Sequence, residues 1–257
     1  MKPMSLSTAL FREIKSVAQN FGVYVSRFPP PMSKERLLKD FLEQSRINCV
    51  LDVGAFIGNY VQELRQLGYQ GRIISFEPVP DSFSQMSMNL RSDTAWSGQP
   101  YGLSDVNRFA TINTYGFGDF NSLLTLKMDA ESAFGLDCAM RGNIQIELRR
   151  LDEILPALLR EIESPRIFLK MDTQGHDASV LRGAAGVLKW IVGMQSEMPA
   201  VQLYEGMPSM AQMLDYYRSC GFVPVGLYPV NSLKSKQITP EFDVILNSFD
   251  GQLTRTA

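Results

Sequence analysis

An aspartate, two glycines and a glutamate give the chain its first chemical reading. Asp52 lies in the apolar run Cys49-Val50-Leu51-Asp52-Val53, Gly54 and Gly58-Asn59 follow it, and Glu77-Pro78 ends a second run, Arg72-Ile73-Ile74-Ser75-Phe76. The first run predicts a central parallel strand covered on both faces, and the glycines remove side chains where the backbone turns and approaches a ligand. Tyr60, Val61, Leu64 and Leu67 then follow at helical spacing, with Gly68 as the terminating glycine. Open α/β sheets bind ligands at the carboxyl ends of their strands, which is where Asp52 and Glu77 fall.

The acid ahead of the turn discriminates between ligands. An anionic pyrophosphate would be repelled by Asp52, whereas S-adenosylmethionine has no phosphate and carries a sulfonium and an ammonium. The spacing agrees, because the second and third glycines of a dinucleotide G-x-G-x-x-G would fall on Phe56 and Asn59. Glu77 lies 23 residues after Gly54, about where a carboxylate takes ribose hydroxyls. Against this stands a ligand-free βαβ unit with an incidental acid.

Further acids are expected along the same edge. Ser104-Asp105 ends a third strand expected near Tyr101 to Leu103, Asp172 follows the strand Ile167 to Met171, and Glu197 nears the end of the strand Trp190 to Met198. Methyl transfer is an in-line displacement, and an alcohol acceptor needs a general base or a metal to take its proton. Asp172 is the candidate for either role, or else caps the following helix. His176 has the chemistry of a near-neutral base or packs in the helix start. Glu197 touches substrate, metal or a backbone amide, and Lys170 reads as a salt-bridge partner. A divalent metal therefore stays open, with Asp172 as its ligand.

Composition narrows the setting. With 257 residues, 45% hydrophobic and 20% charged, the chain can bury one large core. A net charge of −2 without a Lys/Arg block does not favour nucleic acid. Cys49, Cys138 and Cys220 read as reduced thiols, and His176 as the single histidine argues against a His/Cys zinc site. No apolar run reaches the ~20 residues of a transmembrane segment, and no signal h-region is visible, so a cytoplasmic protein is expected.

The elements follow from periodicity. Residues 1–31 comprise an amphipathic helix, with Leu6, Leu10, Phe11, Ile14, Val17 and Phe21 at helical intervals, and a linker at Pro29-Pro30-Pro31. That helix lies on its own domain, on a membrane surface, or on a partner subunit as a route to a homo-oligomer. Residues 32–250 form one domain, 114–142 its candidate substrate lid, and 251–257 a tail. Alternating strands and helices, ending in Phe222 to Leu227 and Phe242 to Leu246, predict a mostly parallel doubly wound α/β sheet with an antiparallel C-terminal strand.

These residues resemble the FkbM-type S-adenosylmethionine-dependent methyltransferases over about residues 48 to 248. The matching segments are Val50 to Ala55 with Gly58-Asn59, Phe76-Glu77-Pro78 and Leu151-Asp152-Glu153. More distinctive are Leu169 to Asp177 with Val180-Leu181-Arg182-Gly183-Ala184, then Leu203-Tyr204-Glu205-Gly206 and Asp243 to Leu246. The resemblance implies a Rossmann-like class I methyltransferase fold and cofactor contacts at Asp52, Gly54, Gly58 and Glu77. It also implies methyl transfer to a hydroxyl oxygen on a saccharide, a glycosylated compound or a polyketide-type small molecule. Asp177 stands where the family commonly has glutamate, and Asn121-Ser122-Leu123-Leu124 replaces a more usual Ser-Ser-Leu-Leu. A non-catalytic cofactor-binding or regulatory module with the same fold is the alternative; a nicotinamide-dependent oxidoreductase is disfavoured by Asp52.

Overall fold

The computed structural model describes residues 6–23, 25–26, 28–116, 120–127, 139–230, 239 and 241–249. Helices α1 (Leu6–Asn20) and α2 (Lys34–Gln44) precede the unit predicted around Asp52: β1 (Cys49–Val53), α3 (Asn59–Gln66) and β2 (Arg72–Phe76). Next come α4 (Pro80–Asn89), β3 (Trp96–Gln99), β4 (Gly102–Leu103), β5 (Arg108–Tyr115), β6 (Met140–Arg149) and α5 (Leu151–Leu158). The remainder is β7 (Ile167–Met171), α6 (Asp177–Arg182), a 3-10 turn (Ala185–Trp190), β8 (Ile191–Pro199), α7 (Met210–Ser219), β9 (Phe222–Val230) and β10 (Glu241–Ser248).

Seven strands form one sheet in the order β3-β2-β1-β7-β8-β10-β9. β1, β2, β3, β7 and β8 pair in parallel, and β10 runs antiparallel to both β8 and β9. This is the mostly parallel doubly wound sheet with an antiparallel C-terminal strand that the sequence predicts. Side chains alternate across it, as a period of two requires. Val50, Ile73, Phe168 and Ile245 pack against α2 and α3 through Leu38, Leu42, Val61 and Leu64. Leu51, Ile74, Leu169 and Leu246 pack on the opposite face against α5, α6 and α7 through Leu155, Val180 and Tyr217. Every residue of β1 is buried, so the strand that carries Asp52 is fixed from both sides.

The strand expected at Tyr101 to Leu103 needs correction. The main sheet's third strand is β3, pairing Ile73–Phe76 with Trp96–Gln99, whereas β4 joins a separate three-stranded sheet, β4-β6-β5. Aromatic Tyr101 gave the stronger apolar signal, but Trp96 to Gln99 is the stretch in register with β2. The expected lid is also only partly a loop, because residues 114, 115 and 140–142 belong to β5 and β6. Its residues 117–119 and 128–138, Cys138 and the tail 251–257 lie outside the described residues. Residues 120–127 cross the carboxyl edge, bridged to β5 at Asn113↔Ser122 and to the loop after β8 at Leu126↔Tyr204. No helix among the described residues is long and apolar enough to cross a membrane.

Candidate functional site

The turn after β1 is held in a shape that needs its glycines. Gly54 (φ 74°), Phe56 (φ 48°) and Gly58 (φ 89°) all take left-handed conformations. A Cβ on Gly54 would lie 2.0 Å from the Asp172 carbonyl oxygen, and one on Gly58 would lie 2.7 Å from Leu90 Cδ1. The turn is thereby pressed against the end of β7. Gly58 caps α3, whose first residue, Asn59, is exposed.

Glu77, just past β2, braces the same turn. Its two carboxylate oxygens accept from Phe56 N and Val79 N, each at 2.8 Å, and the residue is 6% exposed. Each oxygen keeps a lone pair for a further donor. Burial pushes the Glu77 carboxyl up to about 7, although both backbone amides act to lower it. Pro78 follows, packed toward Gly102.

Asp52 is fully buried and accepts from Ser75 Oγ at 3.2 Å through Oδ2. Its Oδ1 has no hydrogen bond of good geometry, but Lys170 Nζ lies 3.2 Å away as an ion partner. Lys170 also donates to the Gly54 carbonyl at 3.2 Å, lies 3.5 Å from Asp172 Oδ2, and sits 5.3 Å above the Tyr60 ring. Burial alone would lower the Lys170 ammonium, but Asp52 and Asp172 outweigh it and hold it above its usual range. The expected salt-bridge lysine is thus a hub joining β1, the glycine turn and β7. By formal charge, Asp52, Lys170 and Asp172 together carry −1.

Beside it lies a second cluster. Gln174, left-handed at φ 52°, donates from one amide nitrogen to Asp172 Oδ1 at 3.1 Å and to Glu197 Oε2 at 3.0 Å. The Gln174 amide oxygen faces the Tyr204 hydroxyl at 2.9 Å, and its backbone carbonyl accepts from Ser122 Oγ at 2.7 Å. Every polar atom of the Gln174 side chain is therefore committed. The Asp172 side chain stays 39% exposed, whereas burial, then Asp172, raises the Glu197 carboxyl well above its usual range. Asp177 fixes the intervening turn by accepting from Thr173 N at 3.0 Å and Ser196 Oγ at 2.6 Å.

His176 and Ser104-Asp105 belong elsewhere. His176 Nε2 lies 3.0 Å from Ser104 Oγ, Ser104 Oγ donates to Asp105 Oδ1 at 3.1 Å, and Asp105 pairs with Arg182 at 3.0 Å. This chain ties β4 to α6. Burial lowers His176 to about 4, which leaves the ring neutral and only weakly basic near pH 7, and its Nε2 faces Ser104 Oγ rather than the Asp172 carboxylate. Ser104 and Asp105 follow β4, which pairs with β6 in the three-stranded sheet rather than with β2.

The donor set does not suit a divalent metal at Asp172 either. Among the described residues no three His, Cys, Asp or Glu side chains gather to hold an ion, and the nearest charge to Asp172 Oδ2 is the Lys170 ammonium. The residues do suit S-adenosylmethionine: the site has a net negative charge, a buried carboxylate with free lone pairs, and a turn no Cβ can enter. Sequence reading gave Gln174 no role; its place before Gly175 in a strand-to-helix turn was the available signal. Past Gly175, packed on Leu124 and Met207, opens a cleft of about 620 Å³ lined by Lys127, Arg182, Gln202, Met207, Gln212 and Tyr216.

Comparison with known proteins gives one family: the model of the methyltransferase FkbM domain matches residues 52–224. No curated protein matches. Solved structures with a similar chain path include an rRNA methylase from Streptococcus thermophilus, 13% identical over 88% of this chain and 100% of that one, with a TM-score of 0.44. Aeropyrum pernix fibrillarin with natively bound S-adenosyl-L-methionine is 12% identical over 82% and 72%, with a TM-score of 0.44. The precorrin-6y C5,15-methyltransferase of Geobacter metallireducens is 10% identical over 86% and 92%, with a TM-score of 0.43. The likeness is one of architecture and says nothing of substrate.

Proposed function

Since the chain belongs to the FkbM methyltransferase family by the match over residues 52–224, we propose that it transfers a methyl group from S-adenosylmethionine to a hydroxyl oxygen of a small molecule, a saccharide or a polyketide-type compound. The observation that carries this reading is the solvent-open Asp172 carboxylate, fixed beside the glycine turn by Gln174 and Lys170. Glu77 accepts the two ribose hydroxyls with its remaining lone pairs, and Pro78 holds the chain beyond it. Gly54, Gly58 and Asn59 shape the turn around the cofactor, and the net negative Asp52-Lys170-Asp172 group favours its cationic end.

The bound cofactor supplies an electrophilic methyl carbon on a sulfonium sulfur. An acceptor hydroxyl oxygen forms the new C–O bond, the C–S bond breaks with its electron pair passing to sulfur, and the hydroxyl proton passes to Asp172. Burial and then Asp172 push the Glu197 carboxyl upward, and the Gln174 amide lies between it and Asp172. Gln174 keeps the two carboxyls apart and aims Asp172, which makes it a positioning residue. Ser104, Asp105 and His176 hold α6 in this reading.

The test is incubation of the purified protein with methyl-labelled S-adenosylmethionine and a small-molecule extract. The expected result is a protein-dependent methyl increment on an extract component, lost with Asp172→Asn. Cofactor binding with no transfer to any fraction would point to the non-catalytic module instead.

A further inference from the structure

Helix α1 and the segment after it expose apolar side chains out of proportion to their length. Of the fifteen large apolar residues exposed in the described chain, seven fall between residues 10 and 32. Leu10, Ile14 and Val17 are 59%, 47% and 58% exposed, and Phe21, just past the helix, is 80% exposed. At 3.6 residues per turn, Leu10, Ile14, Val17 and Phe21 fall within an arc of about 60°. Farther along the chain, Phe28 and Met32 are also exposed, by 65% and 93%.

Charge separates the occupants of such a face. Residues 1–33 contain Lys2, Arg12, Lys15 and Arg27 against Glu13, a net +3, which leaves −5 on the rest of the chain. Two copies meeting through this segment would bring like charges together. A helical seam with a second copy would also leave Phe28 and Met32 uncovered, since they lie beyond the helix around Pro29-Pro30-Pro31. An apolar stripe with bulky ends and a local positive charge fits an interface of acyl chains and anionic headgroups.

We propose that α1, together with Phe21, Phe28 and Met32, docks the protein peripherally on an anionic membrane surface, α1 lying in the interface plane with Leu10, Ile14, Val17 and Phe21 toward the acyl chains. The carboxyl edge of the sheet takes no part, so this proposal stands apart from the reading of the catalytic site.

Flotation of the full chain with vesicles tests it. Vesicles of phosphatidylcholine with phosphatidylglycerol should bind about tenfold to a hundredfold more tightly than phosphatidylcholine alone, and high salt should weaken the binding. The double variant Leu10→Glu/Phe21→Glu should stay in the unbound fraction while its thermal unfolding and S-adenosylmethionine binding match the parent. Equal binding to both vesicle types, or no binding to either, overturns the proposal. So does a dimer of the parent, seen by light scattering, that the double variant abolishes, since a second copy would then occupy the face.

Discussion

Around Gly54 the ligand edge is backbone: a turn of left-handed residues braced by Glu77 through two amide hydrogen bonds, all within residues 49–79. Around Gln174 it is side chains, with partners 23, 30 and 52 residues away in β8, the loop after it and the 120–127 segment. The first half admits few substitutions because a Cβ has no room there; the second depends on hydrogen bonds that single atoms can break.

Lys170 joins the two halves, and its loss is expected to cost most. Lys170→Met leaves Asp52 and Asp172 without their shared cation; with Asp52 fully buried, unfolding in denaturant should show a loss of about 3 to 5 kcal/mol. Little change would mean the halves are independent. Asp172→Asn should split them: kcat falling about 10²- to 10⁴-fold, with cofactor affinity within about threefold. A proportionate loss of cofactor affinity would merge the two functions in one residue.

The pH response of the cofactor half should be milder. With Glu77 titrating at about 7 and hydrogen bonds from ribose favouring the ionised carboxylate, binding below pH 7 requires proton release. The dissociation constant should therefore rise about tenfold per pH unit on the acid side of 7, and Glu77→Gln should flatten the profile. A separate effect concerns stability at His176, whose folded-state value of about 4 lies below the unfolded 6.5. Its contribution is present above pH 6.5 and is lost as pH falls to about 4, by about 2 kcal/mol after allowance for solvent screening. His176→Gln should remove that share of the acid-side loss in thermal melts.

The same contrast explains what the chain disclosed before its fold was known. Asp52, the two glycines and Glu77 were legible because strand, turn and helix signals are local and the spacing is short. Asp172 and Glu197 were legible as strand-end acids. Their link through Gln174 was not, because a side-chain amide bridging two strands leaves no periodic trace. The contact between Ser104-Asp105 and His176 was not legible for a related reason: their polarity reads alike whether they face a ligand or bond to one another across β4 and α6. Trp96 to Gln99 lost out to Tyr101 to Leu103 because strand propensity cannot tell which of two adjacent stretches pairs with β2.

Calorimetry of S-adenosylmethionine binding to the folded protein tests the division most directly. The expected result is one site per chain, weakened at least about tenfold by Glu77→Gln and altered less than about threefold by Asp172→Asn. No heat of binding to the folded parent, or an unchanged dissociation constant in Glu77→Gln, would contradict it.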